Sequence, residues 1–156
     1  MAAAIAKIYG AVAAGGQELD INPDIMEALI TPAVSPTLGC RDIILKMNTL
    51  YSFEFLKPCS SFQFDCNDKA FGTYGPGGSF GFADPELQIG YAYVMNKPEF
   101  QIFDNPRELA LRKGGCIGVS RECRRAGTII CPNKQLFCFQ SYLTVKTPSS
   151  LLLKLA

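Results

Sequence analysis

Residues 71–82 read FGTYGPGGSFGF, and five of these twelve are glycine. Such a stretch can cradle a ligand on its backbone, lead into a hairpin, or wall an active site. A P-loop phosphate cradle ends in Gly-Lys-Ser/Thr and runs into a helix, and neither feature is present. The dinucleotide spacing G-x-G-x-x-G starts at Gly75 and Gly77 but meets Phe80 where the third glycine belongs. Gly77 and Gly78 therefore read first as residues that allow close backbone approach or a bulge at a strand start.

The other residues able to do chemistry are sparse. Histidine is absent, which removes the commonest general base and the commonest transition-metal ligand together. Ser79 has no lysine or histidine at local spacing to activate it. Asp84 and Glu86 could form a carboxylate pair, but Asp84-Pro85 is a turn opener and Glu86 reads as solvated. Seven cysteines, at 40, 59, 66, 116, 123, 131 and 138, include no C-x-x-C pair. Their odd number and loose spacing fit neither a disulfide framework nor a zinc site, so no metal and no cofactor is expected. The stretch Arg121-Glu122-Cys123-Arg124-Arg125 is short and lacks interleaved aromatics; a solvated face is expected there, not a nucleic-acid surface.

Regular elements must position these residues. Ile5, Ile8, Tyr9 and Val12 recur at helical spacing with alanine between them, predicting an amphipathic helix over 2–14 that Gly15-Gly16 stops. Asn22 as N-cap and Pro23 at the first position predict a second helix over 23–30, with Met26, Leu29 and Ile30 on one face. Residues 49–56, TLYSFEFL, alternate as a strand, and 57–70 read as loop. GGSFGFA and IGYAYVMN, joined by DPEL, predict an antiparallel hairpin. Phe80, Phe82, Tyr91 and Tyr93 alternate in it with small residues and are expected to pack a sheet. Pro106 opens a further helix with Glu108 in its first turn.

At 156 residues the chain suits one domain with a real core. Residues 1–106 hold six Lys/Arg against twelve Asp/Glu, a net of −6; residues 107–156 hold nine against two, a net of +7. With periodicity fading after Gly114, this predicts a folded part over 1–113 and a cysteine-rich basic tail over 114–156 with no assigned structure. No stretch has the roughly 18 apolar residues of a membrane span. The N-terminal apolar run is interrupted by Lys7 and lacks a signal-peptide pattern, so a cytoplasmic location is expected.

Several segments carry a family resemblance. YSFEFLKP, followed by KAFGTYGPGGSFGFADPELQIGYAYVMNK, resembles the C-terminal part of the serine β-lactamase-related family. That family groups class C β-lactamases, penicillin-binding proteins, and related esterases and D-amino-acid peptidases. IAKIYGAVAAGG resembles its helix before the last sheet strands, and FDNPRELALR its closing helix. The likeness covers residues 2–113 and implies an α+β fold, an antiparallel sheet flanked by helices. It also implies acyl-enzyme hydrolysis of amide, ester or lactam bonds in a small or peptide-like substrate.

The motifs that carry this chemistry in such enzymes are missing here. There is no Ser-x-x-Lys, which would supply nucleophile and activating lysine, and no Tyr-x-Asn or Ser-x-Asn. In the family both lie upstream of the matched region, so the nucleophile half is expected to be absent. By resemblance, Thr73-Tyr74-Gly75 stands where a Lys-Thr-Gly or His-x-Gly triplet lines the substrate groove, as in family members reading FGHPGAGG. Thr73 then replaces the basic residue. Pro76 falls where a backbone N–H would meet the oxyanion, and proline has none. Lys146-Thr147-Pro148 is a chance near match outside the region. Residues 73–76 are thus a vestigial groove strand, no residue is expected to be catalytic, and the alternative is a non-catalytic fragment acting as a binding module. Lacking the strands that the other end of the domain would bring, the sheet is expected to expose an edge open to self-association.

Overall fold

The computed structural model describes residues 1–64, 67–97, 100, 106, 108–111, 134–139 and 142–146. Helix α1 (Ala2–Ala13) stops at the glycine pair: Gly16 has a φ of 73°, and its N–H donates to Ala11 O at 2.9 Å. Helix α2 (Pro23–Ile30) begins as its sequence requires, with the Asn22 side chain accepting from Asp24 N at 2.8 Å.

The single strand expected over 49–56 is a hairpin. Strands β1 (Leu50–Ser52) and β2 (Phe55–Lys57) reverse at Phe53-Glu54, which have φ of 47° and 66°. Two left-handed residues suit a two-residue hairpin loop, but Asn-Gly normally supplies them; nothing in Phe-Glu announces a turn. β3 (Phe71–Tyr74), β4 (Phe80–Asp84) and β5 (Ile89–Tyr93) follow, so β1 to β5 form an antiparallel meander. β6 (Lys134–Phe139) pairs with β5 in parallel, and β7 (Tyr142–Lys146) pairs antiparallel with β6. The α+β class expected from the sequence holds. Of residues 114–156 only β6 and β7 are described; the basic stretch 121–125 and residues 147–148 lie outside the described residues. Pro106 and residues 108–111 are helical, with Glu108 buried.

The two faces of the sheet differ in side-chain size. On one face Phe80, Phe82, Ile89, Tyr91 and Tyr93 form an aromatic layer with Leu56, Phe62 and Phe64. Phe64 stacks on Phe80 at 5.6 Å, and Phe82 lies 5.2 Å from Tyr91. The hairpin aromatics thus pack a sheet, as their alternation requires. On the other face Gly81, Ala83, Gly90 and Ala92 leave room for α1, which crosses β4, β5 and β6. A Cβ on Gly90 would strike the α1 backbone at Gly10 N and Ala6 O. Helix and strand therefore touch backbone to backbone. This contact changes the face of α1 expected from its large residues. Ala2, Ala6, Gly10, Val12 and Ala13 are buried, whereas Ile8 is 56% exposed.

Helix α2 is held by a buried ammonium. Lys57, 1% exposed, donates from Nζ to Leu29 O at 2.8 Å and Lys69 O at 3.2 Å, with Ile30 O at 3.5 Å. The same group sits 5.5 Å from the Phe71 ring centre. It satisfies carbonyls at the C-terminal end of α2 that the helix itself leaves unbonded. Burial lowers its pKa to about 8, against the opposing pull of Asp68.

Two outcomes follow from these contacts. Gly90→Ala forces α1 off the sheet and is expected to destabilise the fold by about 1–3 kcal/mol, read as a lower urea midpoint at unchanged slope. The second concerns pH. The folded pKa of Lys57, about 8, lies below its ordinary value of 10.5. Between those values the unfolded chain holds a proton that the folded chain has shed, so stability from this site rises with pH across the window and is flat below it. Urea unfolding of the wild type is expected to gain on Lys57→Met as pH climbs through that range; parallel curves would sink the assignment.

Candidate functional site

The glycine-rich stretch folds as the β3–β4 connection. β3 and β4 pair through Phe71–Ala83, Gly72–Phe82, Thr73–Gly81 and Tyr74–Phe80. Beyond Tyr74 the ladder continues one step, with Gly75 N donating to Ser79 O at 2.7 Å. A β-turn then closes over Gly75-Pro76-Gly77-Gly78, Gly78 N donating to Gly75 O at 3.1 Å. Proline stands second, and Gly77, third, has a φ of 93°, the pattern of a type II turn. Both backbone polar groups of Gly75 are thus engaged within the turn. No helix follows, which removes the phosphate-cradle reading on geometry as well as on sequence.

Strand alternation separates the four residues singled out in the sequence. Thr73 is exposed on the α1 side of the sheet, where its Oγ1 lies 3.1 Å from Tyr9 Oη. Tyr74 points the other way, stacked 4.1 Å from Phe80 and edge-on to Phe62 at 4.6 Å. Pro76 is exposed at the turn. Thr73 and the turn remain together at one end of β3, whereas Tyr74 belongs to the aromatic layer.

Sequence reasoning did not single out Tyr9 as a partner of Thr73. It sits on α1, 64 positions away, and read as one more apolar residue of a helical face. The physical signal was Gly81, since a Cβ there would meet the Tyr9 ring and only a glycine lets the ring cross β4 to reach Thr73. Burial raises the pKa of the Tyr9 phenol, with the Thr73 hydrogen bonds pulling against it. A phenol held neutral in this way is a hydrogen-bond donor and a poor base. Tyr9 and Thr73 together offer two neutral hydroxyls, which can bind a polar group but carry no charge to meet an anion.

The remaining candidates are occupied structurally. The Asp84 carboxylate is fully buried and accepts both contacts from Asn67 Nδ2, at 2.8 and 2.7 Å. It also accepts from Glu86 N at 3.0 Å and Leu87 N at 2.9 Å, shaping the β4–β5 turn. Glu86 faces Lys69 at 3.9 Å, with both side chains about half exposed; such a pair contributes little. Lys57 is committed to its carbonyls. Cys40 and Cys59 are free thiols, and Cys59 Sγ donates to Asn48 O at 3.2 Å. Cys66, Cys116, Cys123 and Cys131 lie outside the described residues. Among the described residues no cluster could hold a metal ion, and no helix is long and apolar enough to cross a membrane.

No family model matches the chain, and no curated protein matches it. Solved structures do. A penicillin-binding protein homologue from Caulobacter crescentus is 32% identical, with a TM-score of 0.62, over 72% of this chain and 30% of its own. A family VIII carboxylesterase is 29% identical, with a TM-score of 0.58, over 76% of this chain and 30% of its own. Both are serine β-lactamase-fold proteins, so the resemblance read from the sequence is borne out. The chain spans about 30% of the length of each.

The Tyr9–Thr73 contact is directly testable. Tyr9→Phe and Thr73→Val are each expected to cost about 0.5–1.5 kcal/mol. The double variant should cost less than their sum, because the two hydroxyls share one bond. Thr73→Val should also raise the Tyr9 phenol pKa further, followed by the ultraviolet absorbance of phenolate. Full additivity, with no movement of that titration, counts against the contact.

Proposed function

We propose that this chain, whose described residues form part of a serine β-lactamase fold, supplies the sheet wall of a hydrolase-type groove and carries out no acyl-enzyme chemistry of its own. The fold relationship and the position of β3 support the first half of this reading. One observation carries the second: the turn that closes the end of β3 has proline as its second residue. By resemblance, that is where a backbone N–H would stabilise the charge developing on a tetrahedral intermediate. Removal of one such donor lowers rates by about 10²–10³.

Thr73 adds to the loss. Where the family carries lysine or histidine, this chain has a hydroxyl already engaged with Tyr9. An acylating substrate would meet neither a cation nor the full set of donors. The substrate class that the fold relationship suggests is a small or peptide-like amide, ester or lactam, which such a groove could bind without cleaving. A role as a binding or interaction module follows.

The test is to incubate the purified chain with a fluorophosphonate serine probe, a chromogenic lactam and a p-nitrophenyl ester. No labelling and no turnover above the buffer rate are expected. Stoichiometric labelling of Ser79 or any other serine would overturn the proposal.

A further inference from the structure

Strand β5 is paired on both sides by strands of different origin. Its antiparallel neighbour β4 belongs to the meander, whereas its parallel neighbour β6 comes from residues beyond Gly114, where the sequence periodicity fades. The β5–β6 register covers the whole of β5, from Ile89–Lys134 to Tyr93–Cys138. β7 then pairs with β6, from Gln135–Lys146 to Phe139–Tyr142. Helix α1 crosses β4, β5 and β6 alike, so the same helical layer covers meander and hairpin. Without the hairpin, β5 would be a sheet edge. Its sequence, IGYAY, holds no charge and no proline, so its free N–H and C=O groups would template another strand. The opposite edge, β1, has only three residues, and very short edges are poor templates.

We propose that the β6–β7 hairpin is an edge cap: it occupies in cis the side of β5 on which a strand of a second copy of this chain would otherwise pair, and so holds the chain monomeric. Three observations carry this. The register leaves no residue of β5 open on that side. The hairpin also exchanges one edge for another, because β7 becomes the outermost strand. Its sequence, YLTVK, ends in Lys146, and lysine is a residue type by which natural edges resist further pairing. Thirdly, charge favours the seating. Residues 1–106 carry a net −6 and residues 107–156 a net +7, and β6 and β7 contribute Lys134 and Lys146 with no acidic residue. The basic part of the chain is thus drawn to the acidic meander that precedes it.

The inference makes no use of the loss of chemistry, and its readout is association, so its failure and that of the inactive-wall reading are separable. The experiment uses the full chain. Phe137 lies mid-strand in β6, opposite Ala92 of β5 and Thr144 of β7. Proline in a strand paired on both sides cannot complete the ladder, so Phe137→Pro should unseat the cap. The wild type is expected to sediment as a monomer at all concentrations. The variant should pass to dimers and larger species as concentration rises. At high dilution its β5 amides should exchange with solvent about tenfold faster or more. An excess of a synthetic peptide of residues 133–147 should return the variant to a monomer with one peptide bound, by strand addition to β5. The same peptide carrying Phe137→Pro should not. A wild type that self-associates, a variant that stays monomeric, or association that the peptide leaves unchanged overturns the proposal. So does a variant that loses its cooperative melt and is not restored by the peptide, because the hairpin would then belong to the folding core and not cap it.

Discussion

The approach of α1 to β5, glycine against glycine, sets the rest of the arrangement. With Gly10 and Gly90 in backbone contact, the helix cannot rotate to present its larger residues without being lifted from the sheet. Close contact on one side fixes what the sheet carries there: Gly81 beneath the Tyr9 ring, and Ala83 and Ala92 along the strands. The bulk needed to fill a core goes to the opposite face, where Phe80, Phe82, Tyr91 and Tyr93 meet the loop aromatics Phe62 and Phe64. One side of the sheet is bound by shape and the other by buried area.

The same contact accounts for the site. Tyr9 reaches Thr73 because α1 lies low over β4, so a hydroxyl from the helix meets one from the strand. Thr73 is therefore tied to the position of the helix as much as to its own strand. Close by, the turn over Gly75–Gly78 engages both backbone polar groups of Gly75. The end of β3 is thus closed by a tight turn. Proline and glycine set the geometry of that turn, and proline brings no backbone N–H to it.

Much of this was legible in the residues, and the failures have physical causes. α2 was read to its end residues because its start signals are local: Asn22 accepts from the backbone two positions on, and Pro23 suits the first turn. The role of Asp84 in a turn was likewise local. The β1–β2 reversal was missed because Phe53 and Glu54 adopt left-handed conformations without being residues that favour them, so tertiary contacts outweigh local preference there. Ser52 Oγ, for instance, donates to Ala28 O of α2. The burial of Ile8 was misjudged because periodicity ranks side chains by hydrophobicity, whereas the partner strand selected for smallness. Tyr9 and Thr73 lie far apart in sequence, and no spacing rule joins them.

The glycine contact also bears on the order in which the chain can fold. Gly10 is made early and Gly90 only after β1 to β4, so α1 has no strand to dock on until most of the meander exists. Closing so long a loop costs entropy before any contact rewards it, which makes this a late and slow step. Until then a helix with a single charge waits with both faces uncovered. On a ribosome, or in a refolding flask, that interval is when α1 is most open to capture by the wrong apolar surface. A chaperone acting on this protein would do its work in that interval, on α1.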